Sequence, residues 1–251
     1  MKMRSFVRSV FGCLVFIFIY FATVILFTLA GFGAMWSTIV TNVTLSFFFY
    51  EYSKKRFVSY DNDFNDTVLF VFLAFLFVLW LFAQVTATVM YNVFPDASYA
   101  NYEASSQSDL YGYVVLTLLA APIFEEILYR GIIYRYFRES VGRIWGYILS
   151  SVVFALMHGT IVHIPIAIMG GLFFAVIYEY TGLLRASIMY HIMFNFLSLF
   201  VAPCVNLPDA FYSPLVFITA DAALIICTFL IARLMHTHYD TNHIVRLPSR
   251  L

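Results

Sequence analysis

Charge is what this chain most lacks. Only 11% of its 251 residues are Asp, Glu, Lys or Arg, against about 25% in an ordinary soluble domain, while 63% are hydrophobic. No soluble fold hides that much apolar surface, so a water-soluble enzyme or binding module is excluded. The net charge is zero, which leaves no global basic field and so argues against nucleic acid as a partner. The three cysteines, Cys13, Cys204 and Cys227, form no CxxC pair and read as inert apolar fillers. There is no HExxH, and there is no internal repeat of the kind that marks many transporters. No polar linker divides the sequence, so it reads as one domain over residues 1–251.

What is present is long apolar runs and aromatic side chains. Phe (29 copies) and Tyr (18) dominate an aromatic share of 20%, which suits lipid-facing helix surfaces and interfacial belts. About 20 apolar residues are needed to cross the hydrocarbon core as a helix. By that measure eight spans fall at approximately 10–31, 33–50, 67–90, 111–134, 144–162, 164–181, 185–203 and 214–234. The second and sixth are short enough to be tilted or partly interfacial. The runs are continuously apolar rather than alternating with period two, which disfavours barrel strands. Backbone groups in lipid must bond internally, so helices follow. The basic start and the apolar run from Val10 to Ala30 resemble a signal peptide, but the run exceeds the roughly 7–15 residues of a signal core. An uncleaved first helix is the expectation, and the fold class is an all-α polytopic transmembrane bundle of about eight spans.

Orientation follows from where all 14 Lys and Arg fall, because cytoplasmic segments carry the excess of positive charge. With the N-terminus inside, Lys2, Arg4 and Arg8 precede span one, and Lys54, Lys55 and Arg56 lie between spans two and three. Arg130, Arg135, Arg138 and Arg143 cluster around the four-to-five turn. Arg185 lies between six and seven, and Arg233, Arg246 and Arg250 end the chain. The opposite loops contain none; the longest, Asn92 to Leu110, carries Asp96, Glu103 and Asp109 alone. The expected location is therefore a cell membrane, with both termini cytoplasmic.

An ionisable residue inside a span costs roughly 2.5–3.5 kcal/mol on insertion scales, so each one asks for a reason. Four clusters qualify: Phe-Glu-Glu-Ile-Leu-Tyr-Arg at 124–130, Phe-Ala-Leu-Met-His at 154–158, His-Ile-Met-Phe-Asn at 191–195, and Asp221. Adjacent helical residues point about 100° apart, so Glu125 and Glu126 are not expected to share a neighbour. Glu126 and Arg130 are spaced i, i+4 with the acid first, the favourable order for an ion pair. Glu125 is then left to face another helix. Taken singly, each feature has a bland explanation: a structural salt bridge, a histidine bonding helix to helix, an asparagine as packing glue. Together Glu125, His158, His191 and Asn195 supply one carboxylate, two imidazoles and a carboxamide, a full set of acid-base and oxyanion-stabilising groups.

If the spans converge, Glu125 and His158 can hold and deprotonate a water that attacks a peptide carbonyl. His191 and Asn195 can then donate hydrogen bonds to the oxyanion. The same groups permit a second reading, a zinc site with Glu125, His158 and His191 as ligands and an open position for water. By residue counting His191 lies nearer the cytoplasmic end than Glu125 and His158, and a shift of one turn or a tilt of span five would reconcile the depths.

Three motifs, Glu125-Glu126-Ile-Leu-Tyr-Arg130, Phe154-Ala-Leu-Met-His158 and His191-Ile-Met-Phe-Asn195, stand in the order EExxxR, FxxxH, HxxxN. In this the sequence resembles the membrane-embedded proteases related to the type II C-a-a-X prenyl endopeptidase, the CPBP or Abi family. The stretch Gly182-Leu-Leu-Arg-Ala-Ser-Ile-Met-Tyr also looks like the family's lead into its third motif. The resemblance covers a core at about 120–200. It implies a glutamate-dependent intramembrane endopeptidase with Glu125 and His158 on the water, His191 and Asn195 on the oxyanion, and no required cofactor. The family's early description as metalloproteases keeps zinc as the alternative. The implied partners are a peptide or protein substrate within the bilayer and the lipid itself. Bacterial members linked to bacteriocin maturation and self-immunity give a second expectation, a non-catalytic immunity or peptide-sequestering protein.

Four further features read as structural. His163 reads as a solvated loop residue, Glu179 as facing water or Arg185, and Asp221 as paired with a neighbouring helix. His236, His238 and His243 fall in a cytoplasmic tail without firm ligand geometry.

Overall fold

The computed structural model describes residues 2–57, 66–95 and 109–205, and between 213 and 230 residues 213, 215, 218, 219, 222–228 and 230. Asp221 and the tail histidines lie outside the described residues. Among the described residues there is helix and no strand, as backbone pairing in lipid requires. The helices are α1 (Lys2–Leu29), α2 (Ala34–Arg56), α3 (Asp66–Val93), α4 (Leu110–Val141), α5 (Arg143–Leu156), α6 (Ile164–Thr181) and α7 (Leu184–Cys204). Residues 222–228 are also helical, within the eighth apolar run.

The chain is a multi-pass membrane protein. Five helices are long and apolar enough to cross a bilayer: Arg4–Leu29, Phe70–Val93, Leu110–Val141, Ile164–Thr181 and Leu184–Cys204. α2 and α5 fall outside that group. α2 carries Ser, Thr and Asn through its length and ends on Lys54, Lys55 and Arg56. α5 stops at Leu156 rather than near residue 162, because Gly159 takes a left-handed φ of 71° that a side chain would resist. α6 has the expected bounds, an 18-residue apolar helix from Ile164 to Thr181.

α4 organises the bundle. A first cluster packs α1, α2 and α5 on one side of it through Phe16, Leu45, Phe49, Phe124, Leu128 and Phe154. A second packs α3, α6 and α7 through Phe72, Leu76, Phe173, Phe174, Ile177 and Tyr190, joined by Leu224 of the eighth run. α1 leaves Phe11, Phe18, Leu26 and Leu29 exposed, the surface that faces lipid. Lipid tails are as apolar as these side chains, so burial alone does not drive helix association in a membrane; close packing and buried polar contacts do. Gly171 of α6 supplies the first, since a Cβ there would lie 2.9 Å from Ser151 Cβ on α5.

Polar contacts tie α4 along its length. Two π-helical segments interrupt it, Leu116–Ala120 and Tyr129–Tyr134, and each offers a carbonyl to another helix. Thr117 O accepts from Asn195 Nδ2 on α7 at 2.9 Å, and Gly131 O accepts from Ser53 Oγ on α2 at 2.8 Å. Glu125 and Glu126 occupy the α-helical stretch Ala121–Leu128 between them. At the far end, Tyr134 and Arg138 donate to Glu179 on α6, with Arg143 3.6 Å away. Glu179 thus pairs with α4 and α5 residues, and not with Arg185 as the sequence suggested.

Candidate active site

Glu126 has no exposed surface. Its Oε1 accepts from Arg130 Nη1 at 2.7 Å and from His191 Nδ1 at 2.8 Å, and Ser187 donates to Oε2. Arg130 also donates from Nη2 to Gly171 O at 3.0 Å. Its guanidinium lies over the rings of Phe154 and Phe174, 4.7 and 5.4 Å from their centroids. This is the expected i, i+4 ion pair, desolvated and supported by further hydrogen bonds, although Arg130 Nε has no hydrogen-bond partner. With three partners on its two oxygens, Glu126 orients its neighbours and is closed to substrate.

Glu125 has a different surrounding. Its side chain is 24% exposed and lines a cavity of 200 Å³ together with His158, Tyr20, Asn42, Tyr129 and the apolar Ile17, Phe124, Leu128 and Met157. His191 Nε2 stands 3.7 Å from Glu125 Oε2. The imidazole therefore reaches both adjacent glutamates, one with each ring nitrogen, which corrects the expectation that they could not share a neighbour. The 100° separation holds for side-chain directions on the helix; a ring whose nitrogens lie on different sides spans it.

His158 is placed by the end of α5. It sits one residue past the C-cap Met157, in the turn rather than on the span. Its Nδ1 is 2.9 Å from the Phe154 carbonyl, and its ring meets Phe154 edge to face at 4.5 Å. A carbonyl can only accept, so Nδ1 carries the proton and Nε2 is left with its lone pair. The FxxxH spacing is thus the spacing of a ring nitrogen returning to the carbonyl four residues earlier. His191 is fixed in a similar way by Glu126 at Nδ1 and by stacking on Phe174 at 4.6 Å. With that proton committed, its Nε2 donates only when the ring is doubly protonated.

Asn195, one turn beyond His191, is engaged at Nδ2 by Thr117 O. That contact fixes which end of the carboxamide is nitrogen, and an amide has a second N–H to give. Glu125 thus stands beside His191 and lines one cavity with His158, while Asn195 is tied to the first π segment of α4 two turns before Glu125.

His163 is half-buried, with Nδ1 2.7 Å from Thr160 Oγ1, and not the solvated residue expected. Burial first, and the neighbouring His158 second, push its imidazole below its ordinary value. Cys13 is buried, whereas Cys204 and Cys227 are exposed; all three are free. Among the described residues no three His, Cys, Asp or Glu side chains are grouped to hold a metal ion.

Three residues at the site escaped the motif-based reading. Ser187 precedes His191 by one turn, so its position on the same face was legible. Tyr20 and Asn42 come from α1 and α2, and only the tertiary fold brings them to Glu125.

The comparisons with known proteins fall on this same region. Residues 107–197 match the family model described as type II CAAX prenyl endopeptidase Rce1-like. This core is similar to that family over about a third of the chain. The putative membrane peptidase YdiL of Bacillus subtilis (strain 168) is 29% identical over 82 residues, which is 33% of this chain and 34% of that protein. The chain thus matches about a third of that relative's length. No solved structure matches. α1, α2 and α3 all lie before the matched core, so Tyr20 and Asn42 belong to the part of the site that is outside it.

Proposed function

We propose that the chain is a glutamate-dependent intramembrane endopeptidase that cuts a membrane-associated or lipidated peptide or protein. The observation that carries this reading is that Glu125 and the lone pair of His158 Nε2 border one cavity inside a helical membrane bundle. Glu125 and Nε2 hold a water between them, and the water oxygen attacks the carbonyl carbon as its proton passes to Glu125. The carbonyl π pair becomes the oxyanion. Asn195, through its remaining N–H, and His191, as imidazolium, donate to it, a contribution of about 2.7–4 kcal/mol for each such donor. Glu125 then delivers the proton to the departing amine as the C–N bond breaks.

Glu126 does for His191 what a buried carboxylate does for a catalytic imidazole elsewhere: it sets the tautomer and the ring orientation. Zinc held by Glu125, His158 and His191 is the alternative, and the side-chain grouping of the described residues does not favour it. The test is cleavage of a quenched-fluorescence farnesylated C-a-a-X peptide by the full chain in lipid vesicles. Glu125→Gln and His158→Ala each lose activity by about 10²–10⁴-fold, the usual scale for a general base, while accumulating in the membrane. Normal activity in both variants overturns the proposal. Protection against a membrane-active peptide that survives Glu125→Gln would establish the non-catalytic alternative, and cleavage abolished by chelation and restored by zinc would establish the metal one.

A further inference from the structure

Asn42 is 2% exposed on α2 and lines the Glu125 cavity, yet its Oδ1 has no hydrogen-bond partner. Buried polar side chains are nearly always paired, and one that is not asks for a ligand, a water or a function. An asparagine kept as glue between helices would be bonded across its interface, as Asn195 is to Thr117 O. Asn42 has no such bond, although α2 packs directly on the stretch of α4 that carries Glu125.

The cavity says what such a group is for. Ile17, Phe124, Leu128 and Met157 make part of its wall apolar, which suits side chains or a lipid tail. A peptide drawn into that wall brings its own N–H and C=O groups, and each must be paired where water is scarce. Glu125 and His158 are occupied by the water. A neutral carboxamide is not suited to take the water's proton, but it carries a donor and an acceptor in one plane, the complement of a peptide group.

We propose that Asn42 is a substrate-binding residue that pairs its carboxamide with a backbone amide of the bound peptide beside the scissile bond. The assignment rests on the endopeptidase reading, and the experiment separates the two. Affinity for the fluorescent farnesylated peptide is measured on the full chain in vesicles, in the Glu125→Gln background, where the peptide stays intact. Adding Asn42→Leu, of similar volume and without polar atoms, weakens binding about tenfold. Peptides with one backbone amide at a time replaced by an ester are then bound to the Glu125→Gln protein, which needs no change at Asn42. One ester position loses affinity in that protein and loses none when Asn42→Leu is present.

Equal affinity with and without Asn42→Leu, including no measurable binding to either, overturns the assignment, as does an ester scan with no sensitive position. A fall in kcat at unchanged KM in Asn42→Leu alone also overturns it, because it places Asn42 on the water instead. Cleavage by the unaltered chain but not by Glu125→Gln decides the endopeptidase reading separately.

Discussion

The Nδ1 of His191 lies 2.8 Å from Oε1 of Glu126. This contact divides the labour of two adjacent carboxylates. Glu126 also takes Arg130 and Ser187, so its charge is neutralised in place and its geometry fixed. Glu125, one residue earlier, keeps part of its surface open to the cavity and meets only the other side of the same imidazole. In the proposed reaction the pair is one orienting and one reactive carboxylate, made different by the direction each takes from a single helical turn.

Glutamine at the two positions should therefore fail in different ways. Glu126→Gln leaves the Arg130 guanidinium, 1% exposed, without its counter-charge, and breaking a buried pair from one side costs about 3–5 kcal/mol. The expected outcome is a large drop in Tm of the detergent-solubilised protein and in the amount recovered from membranes, with activity lost as a consequence. Glu125→Gln should keep Tm near the wild-type value and lose only activity. Equal stability of the two variants would show that Glu126 and Arg130 do not hold the bundle.

Asn195 has two tasks, capping the Thr117 carbonyl of a π segment and, in the proposed reaction, donating to the oxyanion. Asn195→Ala removes both, and the loss of one oxyanion donor lowers kcat by about 10²–10³. The lost hydrogen bond itself is worth only about 1 kcal/mol of stability. Asn195→Asp separates the tasks differently, since a carboxylate can neither donate to Thr117 O nor face an oxyanion. It should be at least as inactive and less stable than Asn195→Ala. Full activity of Asn195→Ala in the peptide assay would restrict this residue to the structural task.

The helices were legible because composition, run length and the need to pair backbone in lipid all act on short stretches of sequence. The Glu126 and Arg130 pair was legible for the same reason, being one helical turn. The end of α5 was not, because an apolar run through Leu156 and Met157 continues past the point where Gly159 turns the chain, and hydropathy is blind to φ. The shared contact of His191 was hidden as well: it depends on how a ring from α7 is set between two side chains of α4, which no spacing along either helix contains. Asn42 was hidden too: α2 carries Ser, Thr and Asn through its length, and only its packing against α4 sets Asn42 apart from them.

Gly171 tests how tightly the site depends on helix approach. An added Cβ would stand 2.9 Å from Ser151 Cβ and 3.1 Å from Ser151 Cα, so α5 and α6 would have to part. Overpacking of this kind costs typically about 1–3 kcal/mol, and the shift would also disturb the Gly171 carbonyl that accepts from Arg130. Gly171→Ala is expected to lower stability by that amount, read as a fall in Tm, and to reduce activity, and Ser151→Gly in the same chain should recover part of both. A neutral Gly171→Ala would mean that the two helices have slack at this crossing.

Topology can be tested apart from catalysis. The excess of Lys and Arg predicts that the segment around Lys55 faces the cytoplasm and that the acidic segment around Ser105 faces the opposite side. With Cys13, Cys204 and Cys227 changed to Ser, single cysteines are placed at Lys55 or at Ser105 in the full chain. A membrane-impermeant maleimide applied to intact cells should then label Ser105→Cys and leave Lys55→Cys unlabelled until the membrane is opened. The reverse pattern would invert the whole bundle. It would leave the mutual geometry of Glu125, His158 and His191 untouched but change which side of the membrane supplies the peptide, because α1 and α2, which close the cavity with Tyr20 and Asn42, would be turned over with the rest.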